Sequence, residues 1–184
     1  LVGELMVLRS LLDSGMSTTL AVEAWVGPLD GVQDFELGTG SVEVKATLAS
    51  QGFPAKIGSL EQLDDSLRKP LFVAGVRLSQ RESGVNLPEL ATSVREVLGG
   101  DLEAVRMFGD RLLAAGLHDA HADRYPRRFV LDGLRIVEVS EGFPRIVPGS
   151  VPAGIRRAVY EIDLDRAPGP EAGMAEVLGR LGAL

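Results

Sequence analysis

The stretch VQDFELGTGSVEVKATL limits the folds open to this chain more than any other, because its pattern is typical of two strands joined by a tight turn. Residues 32–37 and 41–48 are rich in Val, Phe and Leu and alternate apolar with polar side chains, which is the period of a β-strand. Gly38 and Thr39 between them suit the two-residue loop of a hairpin. We therefore predict a β-hairpin over residues 32–48.

The register of this hairpin brings charged side chains together. A two-residue loop pairs Leu37 with Gly40. It thereby sets Asp34 opposite Glu43, whereas a three-residue loop would turn Asp34 to the other face. Two opposed carboxylates repel each other, so such a face either stays in water or holds a cation. Because Lys45 shares the strand face of Glu43, we predict a divalent-metal site with a cationic neighbour; the alternative is a solvated face with a surface ion pair of little value.

A helix is expected to open the chain. Residues 1–14 carry apolar side chains at helical spacing, and Gly15 follows where a helix commonly ends. Glu4 shares the apolar stripe with Leu8 and Leu11. Either this carboxylate faces the core and needs a partner, or it lies at the edge of the stripe in the first turn, where it suits the helix dipole. The pattern leaves both alternatives open.

The remaining chain predicts further alternation of helices and strands. We expect a strand at 19–26, a helix at 59–68 begun by a Ser59–Gln62 capping box, a buried strand at 71–78, helices at 87–98 and 101–115, a hairpin of 127–131 and 134–140 across Asp132-Gly133, a strand at 155–164, and a helix from 171. The order helix, three-strand meander, helix, strand predicts an α/β fold with a mixed sheet flanked by helices, extended by a C-terminal hairpin, strand and helix.

Length, composition and net charge limit the classes of protein to which this chain can belong. The 184 residues suffice for one domain, 1–184, and the start without Met in mid-pattern leads us to expect a fragment that lacks an upstream region. No apolar run approaches a membrane span and no signal peptide is visible, so we expect a cytoplasmic protein with no membrane partner. The absence of cysteine excludes thiolate metal sites. The net charge of −7 has the wrong sign for gripping nucleic acid over a broad surface.

The ordered acidic and basic residues resemble a known motif. Glu4 on an opening helix, Asp34 on a strand and Glu43-Val44-Lys45 on the next strand resemble the PD-(D/E)XK nuclease superfamily. The segments GELMVL, AWVGP, QDF, VEVKATL, SLEQL, GFPRI and AVYEIDL resemble a bacterial family of PD-(D/E)XK motif proteins over residues 3–164. Gln33 stands where the name of the motif has proline. The resemblance implies a restriction-endonuclease-like core.

The resemblance also implies a chemistry. Members of the superfamily hydrolyse phosphodiester bonds, so we expect an Mg²⁺-dependent DNA endonuclease of a restriction-modification or phage-defence system, with Mn²⁺ as an alternative cation. On this interpretation Asp34 and Glu43 bind the metal, the carbonyl of Val44 adds a ligand, and Glu4 holds a second metal or a metal-bound water. Lys45 would orient or deprotonate the attacking water and stabilise the transition state. DNA is the expected partner, and a homodimer or other subunits of such a system are compatible with it.

Other candidates are weaker. The DNA-facing patch would consist of Arg124, Arg127, Arg128, Arg156 and Arg157, with ordinary surface arginines as the alternative. The spacing of His118, Asp119, His121 and Asp123 suits zinc, but a solvated loop is the favoured interpretation. The resemblance offers Gln62 as a residue that lines the site in the related family, but the capping box already accounts for it, and we favour that interpretation. The alternatives to a nuclease are a catalytically silent module of the same fold that binds nucleic acid or protein, and a purely structural domain.

Overall fold

The structure, a computed structural model, describes residues 1–183. Its regular elements alternate along the chain as expected for an α/β protein. The helices are α1 (Val2–Asp13), α2 (Thr18–Ala24), α3 (Leu87–Leu98), α4 (Leu102–Ala114) and α5 (Met174–Leu181), and the strands are β1 (Phe35–Leu37), β2 (Gly40–Thr47), β3 (Pro54–Ile57), β4 (Leu71–Asn86), β5 (Arg128–Glu138) and β6 (Tyr160–Asp163). Short 3-10 turns occupy Gly27–Leu29, Asp119–Arg124, Pro148–Ser150 and Leu164–Arg166.

The main sheet has four strands in the order β1-β2-β4-β5. The central β2–β4 pair is parallel, and the two outer pairs are antiparallel. Strands β3 and β6 form a second, two-stranded antiparallel sheet. The α/β class with a mixed sheet flanked by helices is thereby confirmed, and it is compatible with a restriction-endonuclease-like fold.

The first hairpin has the predicted register but a shorter first strand. Leu37 pairs with Gly40 across the two-residue loop, as the glycine turn requires. The pairing ends at Phe35, so the predicted strand pair between Asp34 and Glu43 does not form. The reason is that the chain before Phe35 is held from another side: the carbonyl of Asp34 accepts the N–H groups of Val26 and Gly27, each at 2.9 Å.

The strand predicted at 19–26 is wrong, since this segment forms helix α2. Its buried residues are Ala21, Val22 and Ala24, which lie on one side of a helix, whereas Leu20 is 52% exposed. The alternation of apolar residues that suggested a strand therefore coincides with a helical stripe. The predicted three-strand meander is reduced to the two strands of the hairpin.

The helix predicted at 59–68 is also wrong, because these residues form a series of turns. The Ser59 hydroxyl accepts the N–H of Glu61 at 3.3 Å and does not cap a helix. The side chain of Gln62 accepts the N–H of Gly58 at 2.7 Å, so the segment closes back on itself. Strand β3, which precedes this segment, was not expected from the sequence.

The hairpin predicted across Asp132-Gly133 does not exist, because β5 runs straight through it. Along β4, Arg77 pairs with Gly133 and Leu78 with Leu131, which leaves Asp132 as the extra residue of a β-bulge. Strand β4 continues to Asn86 and supplies the partner that the predicted hairpin would have found within itself. The strand predicted at 155–164 is confined to Tyr160–Asp163, and the last helix begins at Met174.

Apolar side chains fill both faces of the main sheet. On one face Val42, Val44 and Phe72 pack against the helices, α5 included. On the other face Val73 and Val137 pack against β3, β6 and the turns that follow them. In β2 the side chains alternate between these faces, so Glu43 points away from the helices. No helix within residues 1–183 has the length and apolar character needed to cross a membrane.

Candidate active site

Asp34 lies at the point where the hairpin stops pairing. Because β1 begins only at Phe35, which pairs with Val42, the amide of Val44 on β2 has no β1 residue opposite it. The Oδ2 atom of Asp34 accepts that N–H at 2.7 Å. This hydrogen bond therefore satisfies the backbone N–H at the strand edge and fixes the orientation of the carboxylate. The other oxygen, Oδ1, takes no part in it.

Glu4 reaches the same place from the first turn of α1. The helix can approach β2 closely because its second residue is glycine: a β-carbon on Gly3 would lie 3.1 Å from the β-carbon of Ala46. The Glu4 side chain is 19% exposed, and its Oε2 accepts the indole N–H of Trp25 at 2.9 Å. Of the two alternatives left open by the sequence, the structure shows the first, a carboxylate on the core side with a partner.

Gly27 separates the two carboxylates. A β-carbon built on this glycine would lie 2.8 Å from Oδ1 of Asp34 and 3.3 Å from Oε2 of Glu4. The two oxygens thus face one small space that exists because residue 27 has no side chain. Gly27 is held there by its N–H, which donates to the carbonyl of Asp34 at 2.9 Å.

Glu43 and Lys45 form an ion pair beside this space. The side chains leave β2 on the same face, and Nζ of Lys45 lies 2.6 Å from Oε1 of Glu43. Glu43 is 2% exposed, so the face is not the solvated surface that formed the alternative interpretation. A buried ion pair of this kind persists only where its other contacts support it.

Negative charge dominates the cluster. Burial, followed by the charge of Glu4, raises the pKa of Asp34 to about 6. Burial, followed by the charge of Asp34, raises the pKa of Glu43 to about 8, although Lys45 opposes this shift. Three carboxylates lie beside two ammonium groups, Nζ of Lys45 and the N-terminal amine of Leu1, which lies 2.7 Å from Oε1 of Glu4. A buried site resists the remaining excess of negative charge. A divalent cation would neutralise the difference.

Gln62 belongs to the site, contrary to the capping-box interpretation. Its Oε1 accepts both the N–H of Gly58 at 2.7 Å and Nζ of Lys45 at 3.4 Å. The buried side chain of Gln33 donates to the carbonyls of Glu61 and Gln62, at 3.2 and 3.3 Å, and so anchors this turn next to Asp34. Residue spacing carries no sign of this arrangement, whereas the family resemblance had offered Gln62 as a residue that lines the site.

The ligand atoms fit a hard cation. Residues 1–183 contain no group of three or more His, Asp or Glu side chains already arranged around a metal position. The converging Oδ1 of Asp34 and Oε2 of Glu4 nevertheless form a carboxylate pair. Mg²⁺ typically binds through one or two carboxylates and completes its shell with water and phosphate oxygens. Residues 118–123, whose spacing suits zinc but for which a solvated loop was the favoured interpretation, are exposed, and residues 119–124 form 3-10 turns.

The five arginines occupy two segments. Arg124 ends the 3-10 turn before β5, Arg127 directly precedes β5 and Arg128 is its first residue, whereas Arg156 and Arg157 precede β6. The guanidinium of Arg127 lies over the ring of Phe129 and lines a cavity of about 410 Å³ shared with Thr47, two residues beyond Lys45. Arg128 is paired with Glu89 at 2.7 Å. The other three are exposed.

A mixed sheet flanked by helices, with acidic side chains and a lysine at the open edge of its hairpin, is the arrangement of a PD-(D/E)XK nuclease-like fold. A family model whose description reads "Putative PD-(D/E)XK family member, (DUF4420)" matches residues 1–165, and the chain belongs to this family. The superfamily resemblance drawn from the residues is confirmed. Membership indicates a nuclease. No curated protein and no solved structure matches the chain.

Proposed function

We propose that this chain is a divalent-metal-dependent DNA endonuclease that hydrolyses phosphodiester bonds with Mg²⁺, or with Mn²⁺ in its place. The observation that carries the proposal is the imbalance of buried charge. Glu4, Asp34 and Glu43 form a cluster whose paired cations are Lys45 and the N-terminal amine of Leu1, so that one negative charge remains in excess. Burial raises the pKa of Asp34 and Glu43. Such an arrangement is poorly suited to a merely structural role, because it destabilises the fold that contains it.

Each side chain has a defined task in this proposal. Oδ1 of Asp34 and the carboxylate of Glu4 hold the cation, and Glu43 and the carbonyl of Val44 add oxygens. The bound cation supplies a more acidic water and neutralises charge on the phosphate. Lys45 orients the attacking water and stabilises the charge that develops on the phosphate oxygens. The hydrogen bond from the Val44 amide keeps Asp34 from turning away.

DNA is the substrate that the family membership favours. The arginines at the start of β5, with Arg156 and Arg157, would contact its backbone as a compact basic region in an acidic protein. The cation itself offsets part of the repulsion that a net charge of −7 imposes. A role in a cytoplasmic restriction-modification or phage-defence system, with other subunits or as a homodimer, completes the proposal.

Plasmid cleavage tests this function. Supercoiled DNA is incubated with the chain in Mg²⁺, in Mn²⁺ and in EDTA, and nicked and linear products are followed on gels. We expect cleavage only with a divalent cation, and a loss of at least roughly 100-fold in Asp34→Ala and Lys45→Ala. The matched controls are Asp110→Ala and Lys69→Ala, whose residues are exposed and paired elsewhere. Equal cleavage by the wild type and both site variants would overturn the proposal.

A silent binding module is the second candidate. The observation that favours it is the 2.6 Å contact of Lys45 with Glu43. In this contact the proposed catalytic amine is paired with a proposed metal ligand. Electrophoretic mobility shifts with Ca²⁺ and with Mg²⁺ separate the two functions. Tight DNA binding without product under either Mg²⁺ or Mn²⁺ selects the binding module.

A further inference from the structure

Trp25 is the single tryptophan of the chain, and its side chain is completely buried. An indole N–H can only donate a hydrogen bond, and here it donates to Oε2 of Glu4 at 2.9 Å. The same oxygen faces the space above Gly27 that Oδ1 of Asp34 also faces. Trp25 therefore contacts the candidate cation site through one of its proposed ligands and does not reach into it.

The indole is fixed from several directions. Its ring packs at 40° on the ring of Phe108, with centroids 5.9 Å apart. The main chain of Trp25 bridges Phe35 at the start of β1, and its carbonyl accepts a hydrogen bond from the guanidinium of Arg111. By contrast, Glu4 projects from the first turn of a helix on a flexible side chain, and its other oxygen, Oε1, lies 2.7 Å from the N-terminal amine of Leu1. The rigid partner in this hydrogen bond is the tryptophan, which selects one orientation of the carboxylate.

We propose that Trp25 is a positioning residue that holds the Glu4 carboxylate in the orientation required for a divalent cation and thereby strengthens cation binding. The inference rests on the proposed function, because it takes the cation to bind between Glu4 and Asp34. Hydrogen-bond partners behind a metal ligand typically contribute 10-fold to 100-fold to metal affinity. The second consequence is optical: a cation that engages Glu4 changes the environment of the indole N–H, so Trp25 fluorescence reports on binding.

Calorimetry with the full chain measures the first consequence. Mn²⁺ and Mg²⁺ are titrated into the wild type, Trp25→Phe and Phe108→Leu. Phenylalanine keeps most of the ring volume at position 25 but removes the donor, so we expect the dissociation constant to rise about 10-fold or more. Phe108→Leu is the matched control, since it loosens the packing on the same indole without touching the hydrogen bond. Its dissociation constant should stay within about twofold of the wild type.

Fluorescence measures the second consequence without replacing Trp25, and it therefore decides the question even if Trp25→Phe fails to fold. Mg²⁺ is added to the wild type, to Phe108→Leu and to Glu4→Gln. We expect a saturable change in emission that follows the calorimetric binding curve in the first two proteins. In Glu4→Gln the amide oxygen can still accept the indole N–H, but the ligand charge is gone, so the change should be lost or need at least tenfold more Mg²⁺.

The outcomes separate the two ideas. If the wild type shows no heat of binding with either cation, the cation site of the proposed function fails. If the wild type binds but a folded Trp25→Phe binds equally well, or if emission stays constant while Mg²⁺ binds, the positioning role of Trp25 fails and the nuclease proposal stands.

Discussion

The side chains of Glu4 and Asp34 meet over a residue that has none. A methyl group on Gly27 would lie 2.8 Å from Oδ1 of Asp34, closer than such contacts occur in proteins. The backbone of Gly27 does not need glycine for its conformation, since it is absent from the residues with positive φ. The reason for glycine at this position is therefore the space that it leaves for the two carboxylates.

We predict that Gly27→Ala weakens cation binding with little loss of stability. The methyl group fills the space between the carboxylates, and their flexible ends can move aside without disturbing the core. The dissociation constant for Mn²⁺ should rise at least roughly 10-fold, while the free energy of unfolding changes by less than about 1 kcal/mol. Calorimetry and urea unfolding provide the two measurements. The control is Gly109→Ala in α4, where no atom lies near the added carbon; unchanged Mn²⁺ affinity in Gly27→Ala would contradict the expectation.

Asp34→Asn should stabilise the metal-free chain at neutral pH. Because burial and Glu4 raise the pKa of Asp34 from 3.8 to about 6, the folded state holds this proton more tightly than the unfolded state. The resulting stabilisation is complete below pH 3.8 and is lost as the pH rises through about 6. Asparagine carries no charge, so the folded state does not lose this stability as the pH rises. Its side-chain oxygen can still accept the N–H of Val44. The free energy of unfolding at pH 7.5 should therefore increase by roughly 1–3 kcal/mol.

Urea unfolding at pH 7.5 and pH 3.5 in EDTA measures this effect. At pH 3.5 the wild type and Asp34→Asn should be nearly equal. The exposed Asp30→Asn serves as the control and should leave both values unchanged. A variant less stable than the wild type at pH 7.5 would show that Asp34 is a structural residue whose charge the fold requires.

Gln62→Ala should slow cleavage without weakening cation binding. Its Oε1 contacts Lys45 and the Gly58 amide, and it touches none of the proposed ligand oxygens. Loss of this contact leaves the ammonium held only by Glu43, so we expect kcat to fall roughly 10-fold to 100-fold. The calorimetric dissociation constant for Mn²⁺ should remain within about twofold. The exposed Gln51→Ala is the control. A parallel loss of cation affinity would place Gln62 in a different role.

Arg127→Gln should weaken DNA binding and reduce its dependence on salt. Arg127 shares a cavity with the end of β2, close to the site, and its guanidinium is exposed above Phe129. If it neutralises one phosphate, the slope of log K against log salt should fall by about 1. Fluorescence anisotropy at several NaCl concentrations with Ca²⁺ gives the slope. Arg106→Gln, exposed and paired with Asp110 on α4, should leave it unaltered.

The sequence was sufficient where a local rule and tertiary packing agree. The Gly38-Thr39 turn fixes the register of β1 and β2, and α3 and α4 begin at the Asn86 and Asp101 caps with bounds close to those predicted. Prediction from the sequence failed where the spacing of apolar residues suits both a strand and a helix. Residues 18–24 fit the period of a strand and of a helix, and burial of Ala21 and Val22 decides for the helix.

Long-range partners account for the other errors. Asp132-Gly133 has the composition of a hairpin turn, but β4 is long enough to pair with the chain on both sides of it. Gln62 has the spacing of a capping box, yet its side chain bonds to Lys45 and Gly58. In the candidate site, the sequence supplied the acidic residues and the lysine in order. The contributions of Trp25, Gly27 and Gln62 depend on contacts between distant segments, which residue spacing does not record.

Helix α5 lies beyond residue 165, where the family match ends, yet it closes the far end of the β1–β2 hairpin. The carbonyl of Leu181 accepts the N–H of Thr39 at 3.1 Å, and the chain passes so close to Gly38 that a β-carbon there has no room. Arg180 crosses to the sheet and pairs with Glu138 at 2.7 Å. Removal of the residues beyond the family match would expose the glycine turn to solvent and should cause aggregation, because the matched segment packs part of its core against α5.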